Sequence, residues 1–296
     1  MKILLTGANG QVGWELRRTL ANLGTVSAPT RSQLNLMDKD ALRDFIRALR
    51  PDLIVNPAAY TAVDKAESEL EQARAVNAIA PAIMAEEAAK LGAAMVHFST
   101  DYVFDGNKSG AYTEEDATHP LGVYGQTKLE GENAVRAADI PHLIVRTSWV
   151  YGLRGGNFLL TMQRLFKERD QLRIVADQYG APTWSRLIAE ATAQILVQKP
   201  FERDKEFLQG TYHLTSQGRI SWYQFAQAIR DAGCQSEAER PELIPIPSTD
   251  YPTPARRPAN SELASDKLLR NFDLSLPDWK VALEMCLDGC KANNPD

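Results

Sequence analysis

The chain has 296 residues and a formal net charge of −5. That length suits one large domain, or one and a half, with a sizeable core, and the acidic balance argues against a dedicated nucleic-acid binder. No apolar run reaches the ~20 residues of a membrane span, and Ile3-Leu4-Leu5 is too short for a signal-peptide h-region, so a soluble cytoplasmic protein is expected.

In chain order, Ile3–Thr6 reads as a short buried strand that breaks at Gly7, and Val12, Leu16 and Leu20 recur at helical spacing behind it. Thr25–Ala28 is a second strand. Asp38 or Asp40 can cap a helix whose inner face is Leu42, Phe45, Ile46 and Leu49, ended by Arg50-Pro51. Leu53–Asn56 is a third strand, a long Ala-rich helix runs to about Leu91, and Ala94–Ser99 is a further strand. Strands alternating with helices at this spacing imply right-handed crossovers and a doubly wound parallel sheet of Rossmann type. In the second half, His142–Thr147 and Tyr212–Leu214 read as strands, and 185–198 and 221–232 as amphipathic helices. The proline-rich 240–262 stretch reads as extended, with Ile244, Ile246 and Tyr251 expected to be buried. The expected organisation is a dinucleotide-binding domain over 1–148, with strands returning from about 187–216. A smaller α/β substrate-binding domain takes 149–186 and 217–296.

Such sheets bind ligands outside the carboxyl ends of their strands, and here those ends are polar or glycine-rich. Gly7, Gly10 and Gly13 are spaced G-x-x-G-x-x-G between the first strand and the first helix. Gly7 makes the turn, Gly10 lets amides approach a pyrophosphate, and Gly13 lets helix and strand pack closely. An acid that would hold a ribose 2′-hydroxyl is expected ~20 residues further on. Pro29-Thr30-Arg31-Ser32 stands there instead. Arg31 and Ser32 suit a 2′-phosphate, so NADPH is favoured, with NADH as a substitute.

Tyr124 and Lys128, four residues apart, share one helix face. A ketone that accepts hydride needs a proton at its oxygen. A phenol is poorly matched to that task unless a nearby cation stabilises its phenolate. Lys128 supplies the cation, and Thr100, closing a strand, offers a hydroxyl to the same oxygen. The four histidines are scattered and Cys234, Cys286 and Cys290 form no zinc-type set. No metal site is expected, and magnesium is not required for the chemistry.

The glycine loop, Asn56-Pro57-Ala58-Ala59, Ser99–Phe104 and Tyr124-x-x-x-Lys128 resemble the extended short-chain dehydrogenases/reductases. Six longer stretches (TAVDKAE, FSTDYVFDG, PLGVYGQTKLEGE, RTSWVYG, DQYGAPTW and YPTPARRPANSEL) are similar, within that superfamily, to the dTDP-4-dehydrorhamnose reductase family. The resemblance implies NADPH-dependent reduction of dTDP-4-dehydro-6-deoxy-L-mannose to dTDP-L-rhamnose, a precursor of bacterial surface polysaccharides. It makes Thr100, Tyr124 and Lys128 catalytic. Gly7, Gly10, Gln11, Val12 and Gly13, with Ala58, Ala59, Tyr60 and Thr61, then line the cofactor. Asp101, Trp149, Asn157 and Arg257 fall to the substrate. An indole face suits a deoxysugar, and the Arg257 fork suits a diphosphate. The family includes dimers bridged by magnesium through glutamates. Here Arg186 stands where one acid is sought, so a monomer or metal-free homodimer is expected. Two alternatives stay open: a reductase or epimerase of another nucleotide sugar, and a non-catalytic regulatory subunit of the methionine adenosyltransferase type. A dehydratase is disfavoured because Tyr102, rather than Glu, follows Asp101.

Overall fold

The computed structural model describes residues 1–198, 209–233 and 241–291. Strand β1 (Lys2–Leu5) passes through the glycine loop into α1 (Gln11–Thr19), followed by β2 (Thr25–Ser27), α2 (Lys39–Leu49) and β3 (Leu53–Asn56). Helices α3 (Val63–Ala66), α4 (Leu70–Arg74) and α5 (Ala80–Leu91) lead to β4 (Ala94–Thr100), and α6 (Val123–Ala137) leads to β5 (His142–Thr147). Next come β6 (Val150–Tyr151), α7 (Phe158–Glu168), β7 (Gln171–Val175), β8 (Tyr179–Gly180), β9 (Thr183–Trp184) and α8 (Ser185–Gln198). The chain continues with β10 (Gln209–His213), β11 (Ile220–Ser221), α9 (Trp222–Ala232), β12 (Glu242–Ile246), α10 (Asp266–Phe272) and α11 (Trp279–Lys291).

Six strands form one parallel sheet in the order β10-β5-β4-β3-β1-β2. Its inner strands β3, β4 and β5 are buried on both faces, which is why they read as continuous apolar runs, whereas the edge strand β2 is not. Ile3, Leu5, Leu53 and Val55 face the core beneath α1 and α8, while Leu4 and Ile54 face the core beneath α2, α5 and α6. This is the period-two alternation of a strand applied to two cores at once. The chain reverses direction across the sheet between β1 and β3, so their carboxyl ends open a crevice. Three two-stranded pairs, β6 with β9, β7 with β12 and β8 with β11, carry much of the second half.

Several local expectations hold in detail. Asp38 caps α2 by accepting from Ala41 N at 3.0 Å, and the helix expected over 221–232 is α9, whose start Ser221 and Gln224 close with a capping box. Two do not. The Ala-rich stretch before Leu91 is broken into α3, α4, a π-helical turn at Ala75–Ile79 and α5. The π turn delivers the fully buried Asn77 to the Tyr60 backbone (2.8 and 3.2 Å) and to Thr127 Oγ1 at 3.2 Å, a tertiary demand that overrides helical propensity. Tyr251 is 59% exposed, because β12 ends at Ile246 and the segment turns outward through Ser248–Asp250; Ile246 is buried as expected and Ile244 only partly. Cys286 is buried, whereas Cys234 and the Cys290 side chain lie outside the described residues.

Gly7 and Gly13 show why the first loop must be glycine. Gly7 has φ +58, a left-handed conformation that side chains resist, and a Cβ there would sit 2.8 Å from Ala58 Cα. A Cβ on Gly13 would lie 2.1 Å from the Gly7 carbonyl oxygen. The loop therefore folds back tightly on the first turn of α1.

Candidate active site

A cleft of about 520 Å³ runs along the crevice, from the glycine loop past Ala58–Thr61 to Tyr124, Lys128 and Thr147. Helix α1 opens on it at Gly10 with no side-chain cap, so its first amides remain available. Gly7, Gly10, Gln11, Val12 and Gly13 all line this floor. An elongated cleft with open amides at one end and no Cβ in the way fits a dinucleotide pyrophosphate. Arg31 lies exposed on the rim beside Pro29 and Thr30, without an ion-pair partner among the described residues. The Ser32 hydroxyl is turned to Thr30 Oγ1 at 2.9 Å. Tyr60 is anchored through its phenol to Glu69 at 2.5 Å.

The mouth of the cleft is crossed by the loop that follows β6. Gly155 and Gly156 line the cleft, and Arg154 stacks 3.3 Å above the Trp14 ring centroid. Asn157 caps α7 through Leu160 N at 3.1 Å, and its amide donates to Gln11 Oε1 at 2.9 Å and Gly152 O at 2.8 Å. Its carboxamide is thus committed to the loop and to Gln11, at the cofactor end rather than beside Thr100.

Thr100, Tyr124 and Lys128 do come together. Thr100 ends β4 and Tyr124 opens α6, and the Thr100 hydroxyl favours the phenolate form of the phenol while itself donating to Asp101. Removal from water pushes the Tyr124 phenol up to about 12, with the Asp101 charge adding to the rise. Lys128, buried one turn further, donates from Nζ to Phe98 O at 2.5 Å. Desolvation pulls its ammonium down to about 8, and Glu132 opposes the fall. The result is a phenol that stays protonated at neutral pH beside a cation close to its titration range.

Next to this group Asp101 is buried and accepts from Thr100 Oγ1 at 2.9 Å and Ser148 Oγ at 3.0 Å. Burial outweighs those bonds and pushes its carboxyl up to about 6. Trp149 has φ +46, a strained backbone for a non-glycine residue. Its indole stacks on Trp222 with centroids 3.5 Å apart and a 4° interplanar angle, and its Nε1 donates to Ser261 Oγ at 3.1 Å. Arg257 is half buried and ion-paired to Asp64 at 2.8 Å, close to the Tyr102 phenol. Sequence reasoning missed Ser148, Ser261, Tyr102 and Trp222. The first two are small hydroxyls within the quoted motifs, but nothing in their spacing says what they hold. Tyr102 meets Tyr124 edge-on at 5.6 Å, a contact set by the turn after β4. Arg186 is exposed and paired with Glu190 at 2.9 Å. Among the described residues no group of three or more His, Cys, Asp or Glu converges as a metal site, and no helix is long and apolar enough to cross a membrane.

Residues 1–292 match the family model described as the RmlD substrate binding domain. A dTDP-4-dehydrorhamnose reductase of Burkholderia thailandensis is 48% identical over 292 residues, spanning 97% of this chain and 98% of its own. The solved structure of a dTDP-4-dehydrorhamnose reductase from Clostridium acetobutylicum has a TM-score of 0.89 at 38% identity, covering 98% of this chain and 100% of the other. Another, from Bacillus anthracis in complex with NADP, has a TM-score of 0.87 at 33% identity, covering 97% of this chain and 99% of the other. With a family model that spans nearly every residue and a relative almost half identical from end to end, the chain belongs to the dTDP-4-dehydrorhamnose reductase family.

Proposed function

We propose that this chain reduces the 4-keto group of dTDP-4-dehydro-6-deoxy-L-mannose to give dTDP-L-rhamnose, using NADPH, in the cytoplasm and for surface polysaccharide synthesis. The observation that carries this reading is the convergence of Thr100, Tyr124 and Lys128 at the inner end of a dinucleotide-shaped cleft. NADPH supplies the hydride when bound. The glycine loop and the open first turn of α1 hold its pyrophosphate, and Arg31 takes the 2′-phosphate.

Thr100 and Tyr124 address the carbonyl oxygen together. Tyr124 gives up its proton as negative charge develops there, and Lys128 stabilises the phenolate left behind. Asp101 and Trp149 bound the sugar, with the nucleotide-sugar side drawn from 149–186 and 217–296. Arg257, pre-oriented by Asp64, faces the diphosphate, and Asn157 acts indirectly by holding the loop to Gln11. We read the chain as a monomer or metal-free homodimer. Magnesium enters only with the diphosphate or through assembly, so EDTA dialysis should leave the initial rate unchanged.

Tyr124→Phe keeps the ring and removes the proton donor, so turnover should fall by roughly 10²–10⁴-fold while NADPH still binds. Lys128→Met should lose turnover and weaken NADPH as well. Stopped-flow reduction and cofactor titration measure both, and near wild-type turnover in Tyr124→Phe would remove the assignment.

Arg31→Ala should weaken NADPH by about 10–150-fold, corresponding to ~1.5–3 kcal/mol for a charged contact, and leave NADH nearly untouched. Equal losses for both cofactors would make Arg31 a structural residue.

Asp101 ties stability to pH. Its folded value of about 6 lies above the ordinary 3.8, so the native state holds the extra proton between those limits. The stabilisation is complete below about pH 4 and is lost as pH rises through 6, at a cost of at most about 3 kcal/mol. Asp101→Asn should therefore gain unfolding temperature relative to wild type at pH 7.5 compared with pH 4. A difference independent of pH, measured by calorimetry, would contradict this.

A further inference from the structure

One turn beyond Lys128 on α6, Glu132 is fully buried. Its carboxylate accepts from Arg146 Nε at 2.9 Å and Nη2 at 2.7 Å, and from Arg136 Nη2 at 2.5 Å. Arg146 is equally enclosed. It lies on β5, its guanidinium sits over the Phe104 ring at 5.1 Å, and its Nη1 has no hydrogen-bond partner among the described residues. A buried ion pair is seldom a net gain over apolar residues of the same volume. Stability alone therefore does not account for placing charges under the active site, and the position of the pair suggests a different task. Tyr124, Lys128 and Glu132 occupy successive turns of one helix face. The third is clamped to β5, whose next residue, Thr147, lines the cleft, and Ser148 beyond it holds Asp101.

We infer that Glu132, braced by Arg146, is a positioning residue for the reduction. It fixes the rotation of α6 against β5, and it supplies the negative field that keeps the buried Lys128 ammonium charged. The inference rests on the reading of Lys128 as the cation beside the phenolate. The other groups around Lys128 do not supply that field. On β4, His97 is buried and held neutral by desolvation and by the charges of Lys128 and Arg136. On β10, His213 is held neutral, down to about 3, by desolvation and by Arg146. Ahead of α6, Asp101 is half-titrated near pH 6 and Tyr102 stays protonated because its phenol is desolvated. Arg136, on α6 itself, is a like charge. Glu132 is the anion whose interaction with Lys128 favours the charged form.

The test is the pH profile of kcat with saturating NADPH and sugar nucleotide, read beside unfolding temperature. The wild-type alkaline limb should fall near pH 8, where Lys128 loses its proton. Glu132→Gln should move that limb about one unit toward acid, lowering kcat at pH 8 by about fivefold. Arg136→Gln removes a half-exposed like charge and should move the limb the other way, by less. The double variant Glu132→Met/Arg146→Leu avoids a stranded buried guanidinium. It should regain unfolding temperature but keep the acid-shifted limb. An unmoved limb in these variants, shifts of the same sign for Glu132→Gln and Arg136→Gln, or a double variant that recovers both profile and stability would each overturn the inference. Lys128→Met separates the two readings. If it keeps wild-type turnover, the catalytic reading of Lys128 fails. If it is inactive while the Glu132 variants keep the wild-type limb, only the role of Glu132 fails.

Discussion

The parallel register between β4 and β5 is the constraint on which the site depends. Thr100 stands opposite Thr147 and Ser99 opposite Arg146. That alignment alone brings Asp101 to Ser148, sets Trp149 just beyond the strand end, and carries Arg146 beneath α6. A slip of one residue would exchange the two faces of a strand. The hydroxyl, carboxyl and guanidinium would then all point into the wrong core. Both strands are buried on both sides, so the apolar contacts that pay for folding also enforce the catalytic alignment.

Around that register the protein concentrates ionisable groups where water is scarce. Tyr124, Lys128 and Glu132 occupy successive turns of α6 and Asp101 follows β4, and desolvation acts on every one of them. The effects differ in sign by chemistry. The phenol and the Asp101 carboxyl are pushed up and the ammonium down, while arginine contacts keep Glu132 ionised despite its burial. A shared dry environment thus leaves a protonated acid beside a cation.

Much of this was legible because the physics is local. The sheet strands announce themselves as short apolar runs, the glycine loop as a spacing no side chain could satisfy, and Tyr124 with Lys128 as neighbours on one helix face. What was not legible depends on partners far along the chain. Arg257 meets Asp64 across 193 residues, Trp149 finds Ser261 across 112, and Asn77 bends its helix to reach Tyr60 and Thr127. Tyr251 misled for the opposite reason: an aromatic among prolines suggests burial, but the segment leaves the surface pair of strands before reaching it. Asn157 is expected on the substrate side, whereas its carboxamide is spent on capping its helix and on Gln11.

That last bond joins the two ends of the cleft mechanically. Gln11 lines the floor of the cleft and meets Asn157, Asn157 caps the helix that carries Phe158, Phe158 leans on Trp222 at 4.6 Å, and Trp222 lies flat against Trp149. These contacts are in series, so their combined stiffness is that of the softest member. Ring faces in close contact and a capped helix resist displacement. The link to α1 is softer, made of the 2.9 Å amide-to-amide hydrogen bond, a 3.4 Å bond from Gln11 Nε2 to Val150 O and the stack of Arg154 on Trp14, and the compliance between the two ends of the cleft resides there.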